Sequence, residues 1–278
     1  MLSRPKPWQR GLFIVLGILI GLWSAIPIAW MLITSLKPQE AIRTSDVVLT
    51  FAPTLENYRN LFFGGNRVGS FLVNSLLVSI ISTFIALALG SLAGYGMAHW
   101  RSRHKKDVSF WILSTRMAPI AAVIVPLFVM FRLAGLVNTI PGLILACLTF
   151  NLPFAIWLMN AFFHQVPRSI EEAALVDGCS KIRAFWNVAL PITRPGLITT
   201  AVLCMVFAWN DYAFASSLGG PQTSTLPMAA GALVTQSGID WGLLCALGIV
   251  IALPMLIAGL AVRRHLVTGL SLGAVTGE

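Results

Sequence analysis

Charged side chains (Asp, Glu, Lys and Arg) make up only 10% of this 278-residue sequence, and few of them stand where they could do chemistry. Glu171, Glu172 and Asp177 cluster within one short segment, whereas Arg116 and Asp211 stand alone in long apolar runs. An intramembrane aspartyl protease would need two acids, and Asp211 is the one acid well inside an apolar run. An isolated arginine in such a run would favour a polyhydroxylated or anionic ligand if it lines a path. The residues therefore favour binding or mechanical roles over catalysis.

Motifs for enzymatic chemistry are missing from the sequence. It contains no G-x-x-x-x-G-K-[ST] loop that would hold ATP, no Gly-x-Ser-x-Gly and no H-E-x-x-H. The cysteines Cys147, Cys179, Cys204 and Cys245 are scattered without metal-ligand spacing, which is typical of small apolar fillers. We predict that this chain is not an enzyme and binds neither a cofactor nor a metal.

The acidic cluster belongs to the segment PRSIEEAALVDGCSKIRAFWNVALP, residues 167 to 191. Ser169 and Glu172 have the S-x-x-E spacing of a capping box, which predicts a helix beginning there, and Glu171 and Glu172 would favour the positive end of its dipole. Gly178 suits the left-handed position that ends a helix. A second helical stretch should start with Ser180 as its cap and end at Pro191.

The first predicted helix has about eight residues and is too short to be stable alone in water. Its middle, Ala173, Ala174 and Leu175, is small and apolar and is flanked by acids. Such a surface could insert into a cleft of another protein, or it could pack beneath the chain's own helices. The residues alone leave both interpretations open.

The composition identifies a membrane protein. Hydrophobic residues make up 57% of the chain and the mean hydropathy is +0.82, whereas soluble proteins carry roughly 25% charged residues. Apolar runs long enough to cross the bilayer predict six helical spans. We place them near residues 11–35, 70–98, 108–131, 140–163, 196–218 and 239–262 of a single domain covering 1–278. The expected fold is an all-α polytopic helical bundle.

The positions of Lys and Arg predict the orientation of these spans. Most of the nineteen basic residues fall in segments on the same side as the two termini, which the positive-inside rule assigns to the cytoplasm. The segment 167–191 lies on this side as well. The net charge of +9 thus reflects membrane topology, and nucleic acid is not an expected partner.

Two polar features fall within the predicted spans. An unpaired charge near the bilayer centre costs on the order of 3 kcal/mol, so Arg116 should face the interior of the bundle. It could pair with Asp211, or it could line a translocation path. In the motif AWNDY, Asn210 and Asp211 could cap a helix break or contact substrate. Trp209 and Tyr212 could stack on a ligand or anchor the chain at the membrane interface.

Other residues bear on packing and on the outer loops. Gly17 with Gly21, and Gly90 with Gly94, form GxxxG pairs that let helices approach closely, either within the chain or against a second membrane subunit. Several spans contain prolines that should bend them: Pro27, Pro119, Pro126, Pro153 and Pro254. The stretch TLENYRNLF in the longest outer loop predicts a short surface helix with Thr54 as its cap.

The segment 167–191 resembles the EAA signature, EAA---G---------I-LP, of bacterial ABC-importer permeases. The matching residues are Glu172, Ala173, Ala174, Gly178, Leu190 and Pro191, with Val188 where the pattern favours isoleucine. The stretches SLKP (35–38), ENYRNLF (56–62), NSL (74–76), AWNDY (208–212) and TGLSLGAVTGE (268–278) are similar to the carbohydrate-uptake branch, in particular its maltose-permease G type. The resemblance covers nearly the whole chain.

This resemblance implies the ABC type I importer fold in a bacterial cytoplasmic membrane, with both termini in the cytoplasm. It implies a coupling helix that docks in a groove of a separate ATPase, with the candidate docking residues Ser169, Glu171, Glu172, Ala173, Ala174, Leu175, Asp177 and Gly178. The candidate path residues are Arg116, Trp209, Asn210, Asp211 and Tyr212.

The implied partners are a second permease as a heterodimer, two ATP-binding subunits that carry ATP and Mg, an external substrate-binding protein, a carbohydrate and membrane lipid. The competing hypothesis is an ion-coupled secondary transporter of small polar solutes. That class should show paired charges in its spans and an internal repeat, neither of which is evident.

Overall fold

The computed structural model describes residues 7–44, 48, 50–65, 68–235 and 238–274. These residues form helices and one short antiparallel hairpin, in agreement with the predicted all-α class. The last four residues of the stretch 268–278, which contributes to the family resemblance, lie outside the described residues.

The elements follow one another in a simple order. The first half contains α1 (Pro7–Ser35), α2 (Gln39–Ile42), α3 (Glu56–Phe63), α4 (Val68–His99), α5 (Lys105–Arg116), α6 (Ile120–Leu133) and α7 (Ile140–His164). The second half contains α8 (Arg168–Val176), α9 (Lys181–Ala184), a π-helix (Phe185–Ala189), α10 (Leu190–Ile192), α11 (Arg194–Trp209), α12 (Ala213–Leu218), α13 (Leu226–Ala232), β1 (Val234–Thr235), β2 (Gly238–Ile239) and α14 (Trp241–Ala274).

Candidate membrane spans are of two kinds. Four are single helices, namely residues Gly11–Ser35 of α1, α4, α7 and residues Trp241–Leu260 of α14. Two are helix pairs broken by sharp bends, of 85° between α5 and α6 and of 77° between Lys181–Ile192 and α11. Within the described residues the chain has six spans when each bent pair is taken as one.

The two bent pairs correct the sequence prediction for the third and fifth spans. The third was expected to run without a break over 108–131, but α5 ends at Arg116 and α6 begins after Pro119. Proline lacks an N–H and disfavours helical conformation in the preceding residue, which explains a break at this point. The fifth was expected over 196–218, but α11 ends at Trp209 and a separate helix, α12, follows.

The chain forms two compact units, of which the first comprises residues 1–68 and 230–252. In this unit α3 caps the end of α1, because the buried Asn57 amide donates to the carbonyl oxygens of Ser35 and Lys37 at 3.0 and 2.9 Å. The predicted surface helix is therefore partly a core element. Thr54 does not provide its N-cap, which is Leu55, but the Thr54 hydroxyl accepts from the N–H of Glu56 at 3.1 Å.

The second unit comprises residues 69–229 and 253–278, and in it α4 approaches α7 closely. A Cβ atom placed on Gly90 would lie 2.6 Å from the Cβ of Ala155, and one on Gly94 would lie 2.8 Å from the backbone nitrogen of Asn160. The GxxxG pair of α4 therefore packs within the chain, as one of its two interpretations proposed. Gly17 has no such neighbour within 4 Å.

The core of the second unit surrounds α7 and the helices that pack on it, α5, α11 and α12. Its largest buried cluster consists of Val78, Phe131, Leu143, Ile144, Ala146, Cys147, Ala208, Phe214 and Leu218. Cys147 and Cys204 are both buried as free thiols, which fits their predicted role as apolar fillers.

Candidate functional site

The amino-terminal end of α8 differs from the predicted capping box. The helix begins at Arg168 with Pro167 as its N-cap, and no side chain caps it. Pro167 has a φ of −62° and a ψ of 123°, the extended conformation typical of an N-cap residue, so the helix starts directly after it. Ser169 consequently lies inside the first turn, and its predicted role as a cap is wrong.

The other end of α8 is built as predicted. Gly178 has a φ of +85°, a left-handed conformation that glycine adopts without strain. The N–H of Gly178 donates to the carbonyl of Leu175 at 3.1 Å, and that of Cys179 donates to the carbonyl of Ala174 at 3.0 Å. These two bonds form a Schellman motif, which fixes where α8 ends.

The stretch after α8 begins as predicted but continues further. The hydroxyl of Ser180 accepts from the N–H of Arg183 at 3.3 Å, which confirms its role as a cap. Helical structure then passes through the π-helix and α10 to Ile192, so the predicted end at Pro191 is wrong. Pro191 lies inside this continuous helical stretch, shortly after the π-helix.

Two of the candidate docking residues face inwards. Glu171 and Ala174 have only 6% and 9% of their surfaces exposed, and both lie on the side of α8 that packs against the chain. The Oε2 atom of Glu171 accepts a hydrogen bond from the hydroxyl of Tyr95 at 2.9 Å and lies 2.7 Å from Nε2 of His99. Glu171 thus connects α8 to the end of α4.

The remaining candidate docking residues form an exposed face. They are Ser169, Glu172, Ala173, Leu175, Asp177 and Gly178. Two apolar neighbours that the motif did not single out, Ile170 and Val176, are exposed as well, Val176 over 87% of its surface. We refer to Ser169, Ile170, Glu172, Ala173, Leu175, Val176, Asp177 and Gly178 together as the α8 outer face. Within the described residues it is an apolar patch with acidic edges.

A small cavity of about 140 Å³ lies beside this face. It is lined by His99, Arg101, Arg168, Glu171, Glu172 and Leu175. Both basic and acidic groups line it, so it can accept either a carboxylate or a cationic side chain.

Arg116 lies at the end of α5 between two aromatic rings. Its guanidinium carbon is 4.1 Å from the ring centroid of Phe154 and 4.3 Å from that of Phe207. Such cation–π contacts compensate part of the loss of hydration. One of its terminal nitrogens, Nη1, is buried and has no hydrogen-bond partner within the described residues. The guanidinium therefore retains donors for a ligand.

The predicted pair between Arg116 and Asp211 does not form in the described part of the chain. Asp211 instead accepts hydrogen bonds from the N–H groups of Phe214 and Ala215 at 3.4 and 3.1 Å. It thereby caps the restart of the helix at α12. Both charged residues nevertheless line one cavity of about 170 Å³, together with Ile120, Cys147, Phe150, Asn151, Phe207, Ala208 and Phe214.

The other residues of the AWNDY motif have different environments. Trp209 is only 1% exposed and belongs to the core, so its ring is not accessible for stacking on a sugar. Asn210 is exposed, and its amide donates to the carbonyl of Val206 at 2.8 Å, which caps the end of α11. Tyr212 is 52% exposed.

Sequence reasoning missed Tyr95 and His99. Their spacing of four residues places them on one face of α4. This signal was present in the sequence, but it does not identify Glu171 as the group they would meet.

Comparison with known proteins identifies permeases of transport systems as relatives of this chain. The family model described as "Binding-protein-dependent transport system inner membrane component" matches residues 86–270. The trehalose transport system permease protein SugB of Mycobacterium tuberculosis is 36% identical over 95% of this chain and 96% of that protein. The trehalose/maltose transport system permease protein MalG of Thermococcus litoralis is 28% identical over 99% of this chain and 100% of that protein.

A solved structure supports the fold independently of these sequence relatives. A chain of a bacterial ABC transporter involved in the import of the acidic polysaccharide alginate superposes with a TM-score of 0.70. The superposition covers 94% of this chain and 99% of that one, at 22% sequence identity. At this identity the likeness establishes the fold, which is that of an ABC importer permease.

Proposed function

Since this chain belongs to the family of binding-protein-dependent transport system inner membrane components, we propose that it is the permease subunit of an ATP-driven carbohydrate importer. In this role it forms half of a translocation pore and couples that pore to ATPase subunits. The single observation that carries the proposal is the α8 outer face, a short and rigidly ended helix that exposes apolar side chains. Family membership disfavours the alternative of an ion-coupled secondary transporter.

The α8 outer face is proposed as the surface that docks on an ATPase. A helix of nine residues has little stability of its own, and the Schellman motif and the buried Glu171 fix it to the chain instead. Rigidity of this kind is what a mechanical joint requires, because a loose joint would absorb the movement that it should pass on. Glu171 and Ala174 contribute from the inner side by holding the helix in place.

The proposal divides the work among several chains. ATP and Mg are bound and hydrolysed on two separate ATPase subunits, while a second permease supplies the other half of the pore. An external substrate-binding protein delivers the ligand. This chain has one α8 outer face, so two permeases are needed to engage two ATPases.

A carbohydrate is the proposed substrate class. The names of SugB and MalG, which refer to trehalose and maltose, support this assignment. The cavity of about 170 Å³ around Arg116 and Asp211 is the proposed contribution of this chain to the translocation path. The unpartnered Nη1 of Arg116 would donate to a sugar hydroxyl, and Asn210 and Tyr212 are exposed near the same helix break. Trp209 would support this region from the core.

We further propose that the two compact units serve as a single permease domain, 1–278, in a bacterial cytoplasmic membrane with both termini in the cytoplasm. Its six spans comprise the four long helices and the two bent pairs. The excess of Lys and Arg on the side of the termini supports this orientation.

Co-purification tests the proposal. The tagged chain, expressed with the genes encoded beside it, should retain an ATPase and a second permease. Val176→Asp should release the ATPase, because it buries a charge in the apolar contact. Phe63→Asp is the matched control, since Phe63 is also exposed, over 86% of its surface, but lies on α3, outside the α8 outer face and the candidate spans. Purification of the wild-type chain without any ATPase would overturn the proposal.

A further inference from the structure

The buried carboxylate of Glu171 lies on the inner side of α8, outside the α8 outer face. Its side chain is 8% exposed and points away from the α8 outer face, towards α4. A carboxylate removed from water in this way requires charged or hydrogen-bonding partners. Both partners come from the end of α4, where Tyr95 and His99 converge on the same atom, Oε2.

Tyr95 connects this carboxylate to two further elements. Its ring centroid lies 5.3 Å from that of Phe163 on α7 and 4.9 Å from that of Phe185 on the π-helix. It also lies 4.2 Å from the ring of His99. Aromatic packing therefore fixes the position of the Tyr95 ring and of its hydroxyl. The hydrogen bond from this hydroxyl to Glu171 in turn fixes the position of α8 relative to α4.

The hydrogen bonds of His99 require a proton in this cluster. Nδ1 lies 2.9 Å from the backbone carbonyl oxygen of Tyr95, and Nε2 lies 2.7 Å from the carboxylate of Glu171. A carbonyl oxygen can only accept, so Nδ1 must donate. Nε2 and the carboxylate then share a second proton. Without that proton, a lone pair of the imidazole would face the ionised carboxylate.

We propose that Tyr95, His99 and Glu171 form a protonated latch that fixes α8 to α4, so that a displacement of α8 moves α4 with it. This inference rests on the proposed function, in which the displacement originates in an ATPase docked on the α8 outer face. The three are positioning residues, because they act through the helix that they hold. We call them the α4–α8 latch.

The latch has a measurable consequence for ATP hydrolysis. When the joint is firm, an ATPase can close only if it also moves the pore helices, which restrains hydrolysis in the absence of a binding protein. When the latch is broken, the ATPases can close without moving the pore helices. Loss of a buried charged hydrogen bond corresponds to a change of about fivefold or more in an equilibrium constant. Hydrolysis without binding protein should rise by a similar factor.

The experiment uses the complete importer in lipid nanodiscs, without sugar or binding protein. ATP hydrolysis per assembled complex and amide hydrogen exchange over residues 168–176 are measured for the wild type, Tyr95→Phe and Glu171→Gln. Tyr95→Phe keeps the ring packing and so tests the hydroxyl even if Glu171→Gln fails to fold. Asp107→Asn is the matched control, because Asp107 also faces a histidine, His104 at 3.8 Å, but is exposed.

We expect both latch variants to hydrolyse ATP about fivefold faster or more and to exchange faster over 168–176, whereas Asp107→Asn behaves as the wild type. Wild-type rates in both latch variants would overturn the latch. Failure of the wild-type chain to bind an ATPase would instead refute the proposed function. In that case amide hydrogen exchange over residues 168–176 is the remaining test of the latch. Unchanged exchange in both Tyr95→Phe and Glu171→Gln would refute it.

Discussion

Arg116 and Asp211 line the same cavity, yet each is bound to other groups. The guanidinium stacks on Phe154 and Phe207, and the carboxylate accepts from two backbone N–H groups at the start of α12. Each charge therefore has its own compensation, and neither depends on the other. This independence makes their roles separable by substitution.

Replacement of Arg116 by alanine should reduce transport and leave assembly intact. The substitution removes the donors that the cavity offers and both ring contacts, so we expect uptake of the radiolabelled sugar substrate to fall about tenfold, equivalent to ~1.4 kcal/mol. Arg116→Lys keeps the charge but loses the planar group that stacks on the rings. Its uptake should therefore lie between that of the wild type and that of Arg116→Ala. Size-exclusion chromatography measures assembly, and its loss in Arg116→Ala would assign Arg116 a purely structural role.

The close contact between α4 and α7 can be tested with two neighbouring glycines. Gly94→Ala would place a Cβ atom 2.8 Å from the backbone nitrogen of Asn160, whereas Gly96→Ala meets nothing within 4 Å. Overpacking of this kind costs about 1–3 kcal/mol, so Gly94→Ala should lower the melting temperature of the purified chain. Gly96→Ala should leave it unchanged or raise it slightly, since alanine favours the helix. Equal melting temperatures for the two variants would contradict the close approach.

Features that depend on neighbours in sequence could be predicted from the sequence. The end of α8 at Gly178 and the cap of the next helix at Ser180 follow from local backbone geometry, and both are confirmed. The start of α8 was predicted two residues too late because two local signals competed there. Both the conformation imposed by Pro167 and the capping pattern of Ser169 can begin a helix, and the proline prevailed.

Features that depend on tertiary contacts could not be predicted in the same way. Pro119 stands at a break between helices, whereas Pro27, Pro153 and Pro254 stand inside continuous helices, so a proline alone does not identify a break. The bond between Tyr95 and Glu171 joins residues 76 positions apart. In a helix that is apolar on all sides, periodicity does not reveal which face is buried, and the burial of Trp209 could not be foreseen.

The cap that Asn57 provides for α1 predicts a stability effect in the first compact unit. Asn57→Ala would leave the carbonyl oxygens of Ser35 and Lys37 without their donor at a buried position. Unsatisfied buried groups cost about 1–3 kcal/mol, so the melting temperature of the purified chain should fall. Arg59→Ala, two residues away on the exposed side of α3, is the control. An unchanged melting temperature in Asn57→Ala would show that water replaces the amide.

The left-handed conformation of Gly178 predicts how substitutions there should affect coupling. Proline cannot adopt a φ of +85° and has no N–H to donate to Leu175, so Gly178→Pro should destroy the Schellman motif and release the end of α8. Gly178→Asn keeps the N–H and tolerates the left-handed region, so it should retain most activity. In the reconstituted importer, Gly178→Pro should insert normally, hydrolyse ATP and import little sugar, measured as ATP hydrolysed per molecule of sugar transported. Equal ratios in Gly178→Pro and the wild type would mean that α8 need not end rigidly, and its proposed role as a mechanical joint would be wrong.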